Sequence, residues 1–130
     1  MAKTFAQKYN IDPELFATRD IHIHVPSGAV PKDGPSAGAA LTVALVSAFA
    51  NKPVRGDWAL TGEATLSGRV LEIGGVREKV LSAHRYGINN IILPTNNKKS
   101  LEKVPKEALD EMSFVYVDNI EQVLEKLVVK

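Results

Sequence analysis

The stretch Pro31-Lys32-Asp33-Gly34-Pro35-Ser36-Ala37-Gly38 opens directly into an apolar run over residues 37–50, and this junction constrains the chain more than any other feature. The run is too short for the roughly 20 apolar residues that cross a bilayer, and it carries Thr42 and Ser47. It is expected to be a core helix. Ser36 therefore stands where a stiff, sharply turned loop becomes a buried helix. The first backbone N–H groups of a helix are unpaired and lie at the positive end of its dipole, a setting that favours an oxyanion. Two readings of Ser36 follow. Either it or Asp33 caps the helix, as Ser and Asp commonly do, or its hydroxyl is a nucleophile.

With 130 residues the chain has the size of one domain around one core. A formal net charge of +1 exerts no global pull toward nucleic acid. Lys98, Lys99, Lys103 and Lys106 make a modest basic cluster that reads as a solvated face, with nucleic-acid contact the weaker alternative. The absence of cysteine excludes disulfides, a thiol nucleophile and thiolate zinc sites, and suits a cytoplasmic protein. The opening Met1-Ala2-Lys3-Thr4-Phe5 lacks the apolar core of a secretory signal.

Taken in order, residues 1–19 read as a helical lead-in, with Asp12-Pro13-Glu14 as the start of a short turn. Asp20-Ile21-His22-Ile23-His24-Val25 alternates, so Ile21, Ile23 and Val25 share one strand face and His22 and His24 the other. That histidine pair needs a third ligand to hold a metal, and only His84 remains, so a structural or site-supporting role is the simpler reading. The apolar run beginning at Ala37 is expected to be buried on nearly every side and to stop at Asn51-Lys52-Pro53. Residues 57–61 and 69–73 read as strands in a hairpin-like excursion bounded by glycines. A helix over residues 76–86 places Val76, Val80 and Ala83 in its apolar stripe, Glu78, Ser82 and Arg85 facing away, and Lys79 at the stripe's edge. From that edge Lys79 either snorkels to water, as lysines usually do, or points inward. A strand over 91–94, helical turns over 100–112 broken by Pro105, a strand over 114–117 and a last helix follow. That helix is expected to open on an Asp118 and Glu121 capping box. Alternating strands and helices make this a single α/β domain of about four to six strands, α+β-like in its mixed sheet with packed helices.

No phosphate-binding Walker loop or dinucleotide fingerprint is present, and no Gly-x-Ser-x-Gly elbow supports a Ser-His-Asp triad. A serine nucleophile here needs another base. The motif from Pro31 to Gly38, then Thr61-Gly62-Glu63, then Gly74-Gly75-Val76-Arg77-Glu78-Lys79, preceded by Asp20-Ile21-His22-Ile23-His24-Val25-Pro26, resembles the proteolytic domain of the ATP-dependent Lon proteases, from about Asp20 to the C-terminus. The resemblance implies a Lon-type proteolytic domain over 20–130, N-terminally truncated, with the ATPase module absent from this chain. It implies Ser36 as nucleophile, Lys79 as general base and Thr61 as a hydroxyl bonded to that base, in the soluble class of the family. Asp33, Gly34, Glu63, His22 and His24 are expected to shape the site. The family also implies degradation of unfolded, misfolded or regulatory proteins delivered by an ATP-driven ring, a homo-hexameric assembly, an ATPase partner domain that uses ATP and magnesium, no cofactor or metal on this chain and no membrane.

Physical chemistry agrees with a Ser-Lys pair. A neutral amine can take the serine proton, but free lysine titrates near pKa 10.4, so the base needs a shift of roughly 2–3 units. Desolvation lowers a lysine pKa, whereas a touching Asp33 or Glu63 would raise it, so the two acids are expected away from the ammonium. Backbone N–H groups near Ser36 would hold the tetrahedral oxyanion. The rival from a different class is a catalytically silent Lon-like assembly or partner-binding module.

Overall fold

The computed structural model describes residues 37–128. The expected helical lead-in, the expected strand with His22 and His24, and Asp33, Gly34 and Ser36 lie outside the described residues. The described part runs α1 (Gly38–Ala50), β1 (Trp58–Leu60), β2 (Glu63–Ala64), β3 (Val70–Leu71), α2 (Val76–Arg85) and β4 (Asn90–Pro94). A 3-10 segment (Thr95–Lys103), α3 (Lys106–Glu111), β5 (Ser113–Val117) and α4 (Ile120–Leu127) complete it.

Strands β1, β4 and β5 form a parallel sheet in the order β1-β4-β5, with Ile92 opposite Leu60 on one side and Val115 on the other. Successive side chains of a strand face opposite sides, and the two cores obey that period. Ile92 and Val117, with Trp58, Leu60 and Val115, meet Val43, Val46 and Phe49 of α1 and Ile120, Val123, Leu124 and Leu127 of α4. Ile91 and Leu93, with Ala59, Phe114 and Tyr116, meet Val76, Val80 and Ala83 of α2 and Ala108 of α3. Helices on both faces explain why β4 reads as a continuous apolar run, because a parallel strand is buried on both sides. This is the mixed helix and sheet architecture expected of the chain.

The antiparallel pair β2-β3 stands apart as a hairpin. Its turn is closed by Thr65, whose carbonyl accepts from Gly68 N (3.0 Å) and whose Oγ1 accepts from Arg69 N (3.0 Å), with Gly68 at φ 89°. The carbonyl of Gly68 accepts from Ile120 N at 2.8 Å, which ties the hairpin to the start of α4. Gly62, between β1 and β2, has no room for a side chain: a Cβ there would lie 2.7 Å from Val70 Cγ1 and 3.6 Å from Ala39 Cβ. Valine is stiff at χ1 and Val70 is buried, so the contact cannot be relieved by a flexible tip. Gly62→Ala should therefore lower stability by about 1–3 kcal/mol through overpacking. Gly56→Ala, where nothing lies within 4 Å, should be nearly neutral. Paired thermal unfolding curves check this, and equal midpoints for the two variants would refute it.

Several local expectations need correction. The 69–73 strand is only Val70–Leu71, since Arg69 bridges to Asn119 and the backbone of Ile73 is taken by a side chain of the 3-10 segment. The capping box is shifted by one residue. Gln122 N donates to Asn119 Oδ1 (3.0 Å) and Asn119 N donates to Gln122 Oε1 (3.3 Å), while Asp118 N also donates to Gln122 Oε1. Asn119 and Gln122 make the same reciprocal bonds as Ser and Glu, so the acidic spacing misled by one position. Helical turns begin at Thr95, five residues before the expected 100, because Pro94 ends β4 and Pro105 serves as the N-cap of α3. Finally, α1 is not covered on every side: Leu41, Ala44 and Ala48 are exposed, as is Ala37 at its N-cap.

Candidate active site

Three elements converge at the C-terminal end of β1. The strand passes Leu60 and delivers Thr61, whose N–H extends the ladder by donating to Ile92 O (3.3 Å) and whose side chain is buried. Helix α1 starts beside it, with Ala39 N donating to Gly62 O at 3.1 Å. That approach needs Gly38, where a Cβ would lie 3.0 Å from Ala64 N. Helix α2 supplies Lys79. Its stripe Val76, Val80 and Ala83 is buried as the periodicity requires, and the ammonium at the stripe's edge turns inward instead of snorkelling. Lys79 Nζ donates to Thr61 Oγ1 at 3.1 Å.

Burial pushes Lys79 below its ordinary pKa of 10.5. The sign follows from desolvation, which penalises the charged amine. Among the described residues no carboxylate pairs with this ammonium to oppose it. Glu63 is half-buried in β2, opposite Leu71 in the hairpin. A cleft of about 430 Å³ opens over the pair. Its lining includes Ala37, Thr61, Lys79, Ser82 and Tyr86, so Ser82 faces the cleft and not away from it. Ala37 directly follows Ser36 in the chain, and the N-cap position of α1 falls on Ala37.

Of the residues singled out in the sequence, the structure brings together Thr61 and Lys79, with Glu63 two residues beyond Thr61. Ser36, Asp33, Gly34, His22 and His24 lie outside the described residues. His84 points elsewhere and bonds to Glu111. No group of three or more His, Cys, Asp or Glu among the described residues could hold a metal ion. Lys98, Lys99, Lys103 and Lys106 are exposed and interleaved with Glu102 and Glu107. Lys99 lies 3.9 Å from Glu72, and Lys98 stands 5.7 Å over the Tyr116 ring. No described helix is long and apolar enough to cross a membrane. Sequence reasoning missed Asn97, which is buried and hydrogen-bonded to Ile73 just upstream of α2. Its only local signal is an asparagine amid polar residues after Leu93-Pro94, and nothing in such a pattern names a partner 24 positions away.

A half-buried lysine thus turns inward onto a threonine hydroxyl at the end of a parallel strand, with burial lowering its proton affinity. Residues 1–130 match the Lon protease (S16) C-terminal proteolytic domain, and the chain belongs to that family. It is 48% identical over 128 residues, 98% of the chain, to a Lon protease of Clostridioides difficile, and 54% identical over 125 residues, 96% of the chain, to one of Desulfatibacillum aliphaticivorans. It is also 58% identical over 114 residues, 88% of the chain, to the Lon protease homolog 2, peroxisomal, of Zea mays. The chain spans 16%, 15% and 13% of the lengths of these relatives.

Proposed function

We propose that this chain is the peptide-cleaving part of a Lon-type protease, a serine endopeptidase in which Ser36 is the nucleophile and Lys79 the base. The observation that carries this reading is the desolvated Lys79 amine, hydrogen-bonded to Thr61 in a cleft whose lining includes the neighbour of Ser36. In its neutral form Nζ takes the Ser36 hydroxyl proton as Oγ attacks the scissile carbonyl carbon. The tetrahedral oxyanion is held by backbone N–H groups near the start of α1. Collapse breaks the C–N bond, and the new amine leaves with the proton returned from Lys79. Water, deprotonated by the same amine, then cleaves the acyl ester. Asp33, Gly34, Glu63, His22 and His24 shape the surroundings.

The substrates are unfolded or misfolded proteins. They are delivered by an ATPase partner domain of the parent protein, in a homo-hexameric ring of the cytoplasm. ATP and magnesium serve that ATPase, with no cofactor or metal on this chain. Cleavage of an internally quenched peptide by the folded chain, with the cut sites read by mass spectrometry, tests the activity. A folded chain that cuts nothing would favour the silent assembly module.

Thr61 acts here as a positioning residue, through Lys79. Thr61→Val keeps the shape and β-branching but removes the acceptor. A hydrogen bond to a charged group is worth about 1.5–3 kcal/mol, so kcat should fall about tenfold to a hundredfold while KM stays close to the parent value. Unchanged kcat in a folded Thr61→Val variant would remove this role.

A further inference from the structure

We propose that Asn97 is a positioning residue for Lys79, acting as a side-chain clamp on the backbone that leads into α2. This rests on the reading of Lys79 as the base. Asn97 is 2% exposed. Its Oδ1 accepts from Ile73 N at 2.9 Å and its Nδ2 donates to Ile73 O at 2.9 Å, so one amide satisfies both polar groups of one residue, as a neighbouring strand would. The same Nδ2 reaches Ser100 Oγ at 3.3 Å, which orients the amide from its own side.

The clamp lies just before the start of α2, where the helix has no side-chain cap. The N-cap of α2 is Gly75 at φ 70°, a left-handed conformation, and it provides no side-chain cap. Gly74 and Gly75 are both exposed, and adjacent glycines leave the backbone free to hinge. Two bonds to Ile73 stop that hinge one residue before it begins. The path onward is short: the carbonyl of Gly75 accepts from the backbone N–H of Lys79 at 3.1 Å. Asn97 thus sets the axial position of the first turn of α2, and with it the reach of Nζ to Thr61.

The described elements facing the ammonium supply few groups that could compete with this control. Along the cleft they are Thr61 from the end of β1, Ala37 and Ala40 from the N-cap and first turn of α1, and Ser82 and Tyr86 from the last turn and C-cap of α2. Tyr86 is the only other titratable side chain in that described lining. The low proton affinity of Lys79 comes from desolvation, so a looser α2 that lets water reach Nζ must raise it.

The test is Asn97→Ala, a neutral substitution, in the full chain. Lys79 is followed by the pH titration of its side-chain 13Cε resonance, and catalysis by the pH profile of peptide hydrolysis. The Lys79 midpoint should move up toward that of free lysine, with the alkaline-rising limb of kcat moving alongside it. Turnover at neutral pH should fall tenfold for each unit the midpoint rises, because each unit divides the neutral amine by ten. Val123→Ala, in the other core, is the control for general destabilisation and should leave the midpoint in place. If Asn97→Ala does not fold, Asn97→Ser is used, and a smaller upward shift is expected. An unmoved midpoint in the folded Asn97 variant, or an equal shift in Val123→Ala, overturns the proposal. A parent silent toward peptides would refute the proposed function, while the resonance titration would still decide the role of Asn97.

Discussion

Ser36→Ala should abolish peptide hydrolysis and leave the fold intact. If Ser36 Oγ forms the acyl bond, no other atom at that position replaces it, and losses for removed nucleophiles exceed about a thousandfold. The structural cost is small by comparison. The N-cap position of α1 falls on Ala37, so the substitution removes no N-cap oxygen and costs less than the about 0.5–2 kcal/mol of a lost cap. The check is the rate on a fluorogenic peptide for parent and variant in parallel, with circular dichroism confirming equal folding. An alanine variant that cleaves at the parent's rate would show that the nucleophile is elsewhere. Asn51 at the other end of α1 supplies the contrast: it sits at φ 53° outside the cleft, so Asn51→Gly should leave turnover unchanged.

The second large effect belongs to Lys79. Only its neutral form accepts a proton, so below the depressed pKa the rate should fall tenfold for each pH unit, and above it level off. The apparent pKa should lie below the ordinary 10.5, in the direction that burial imposes. Lys79→Arg keeps charge and reach but stays protonated at any usable pH, so it should be inactive at every pH where the chain is folded. A purely electrostatic role would survive that change. Substantial hydrolysis by the arginine variant would therefore transfer the base role to another group, as would a profile governed near the histidine pKa and removed by His22 or His24 substitution.

Stability should follow the same titration. A lysine whose folded pKa is depressed binds fewer protons folded than unfolded between the two pKa values, so stability rises with pH across that window. Below the folded pKa the chain bears the cost of a desolvated ammonium. Lys79→Met, which removes the charge and keeps the stem, should thus be at least as stable as the parent at neutral pH while losing hydrolysis.

Much of the fold was legible because its signals are local. Val76, Val80 and Ala83 recur at helical spacing, as do Ile120, Val123, Leu124 and Leu127, and all are buried. Gly87, at φ 77°, follows the last turn of α2 as a left-handed helix stop should. The alternation of strands and helices was enough to imply a sheet with helices packed on it. One failure was also local: the true capping box at Asn119 and Gln122 differs from the expected pair by one position, and either spacing satisfies the same pattern.

The candidate site divides along the same line. The sequence by itself determined the chemistry on offer: a hydroxyl at a helix start, a lysine at the edge of an apolar stripe, a threonine before a glycine. Tertiary structure decided which way the lysine faces. Thr61 is 18 positions from Lys79, and Asn97 is 24 from Ile73. Periodicity over a few residues can place a side chain on a helix face, but it holds no information about the group waiting across the gap. A pKa is likewise set by the water that packing removes, and that water is excluded only when α1, β1 and α2 close around one point.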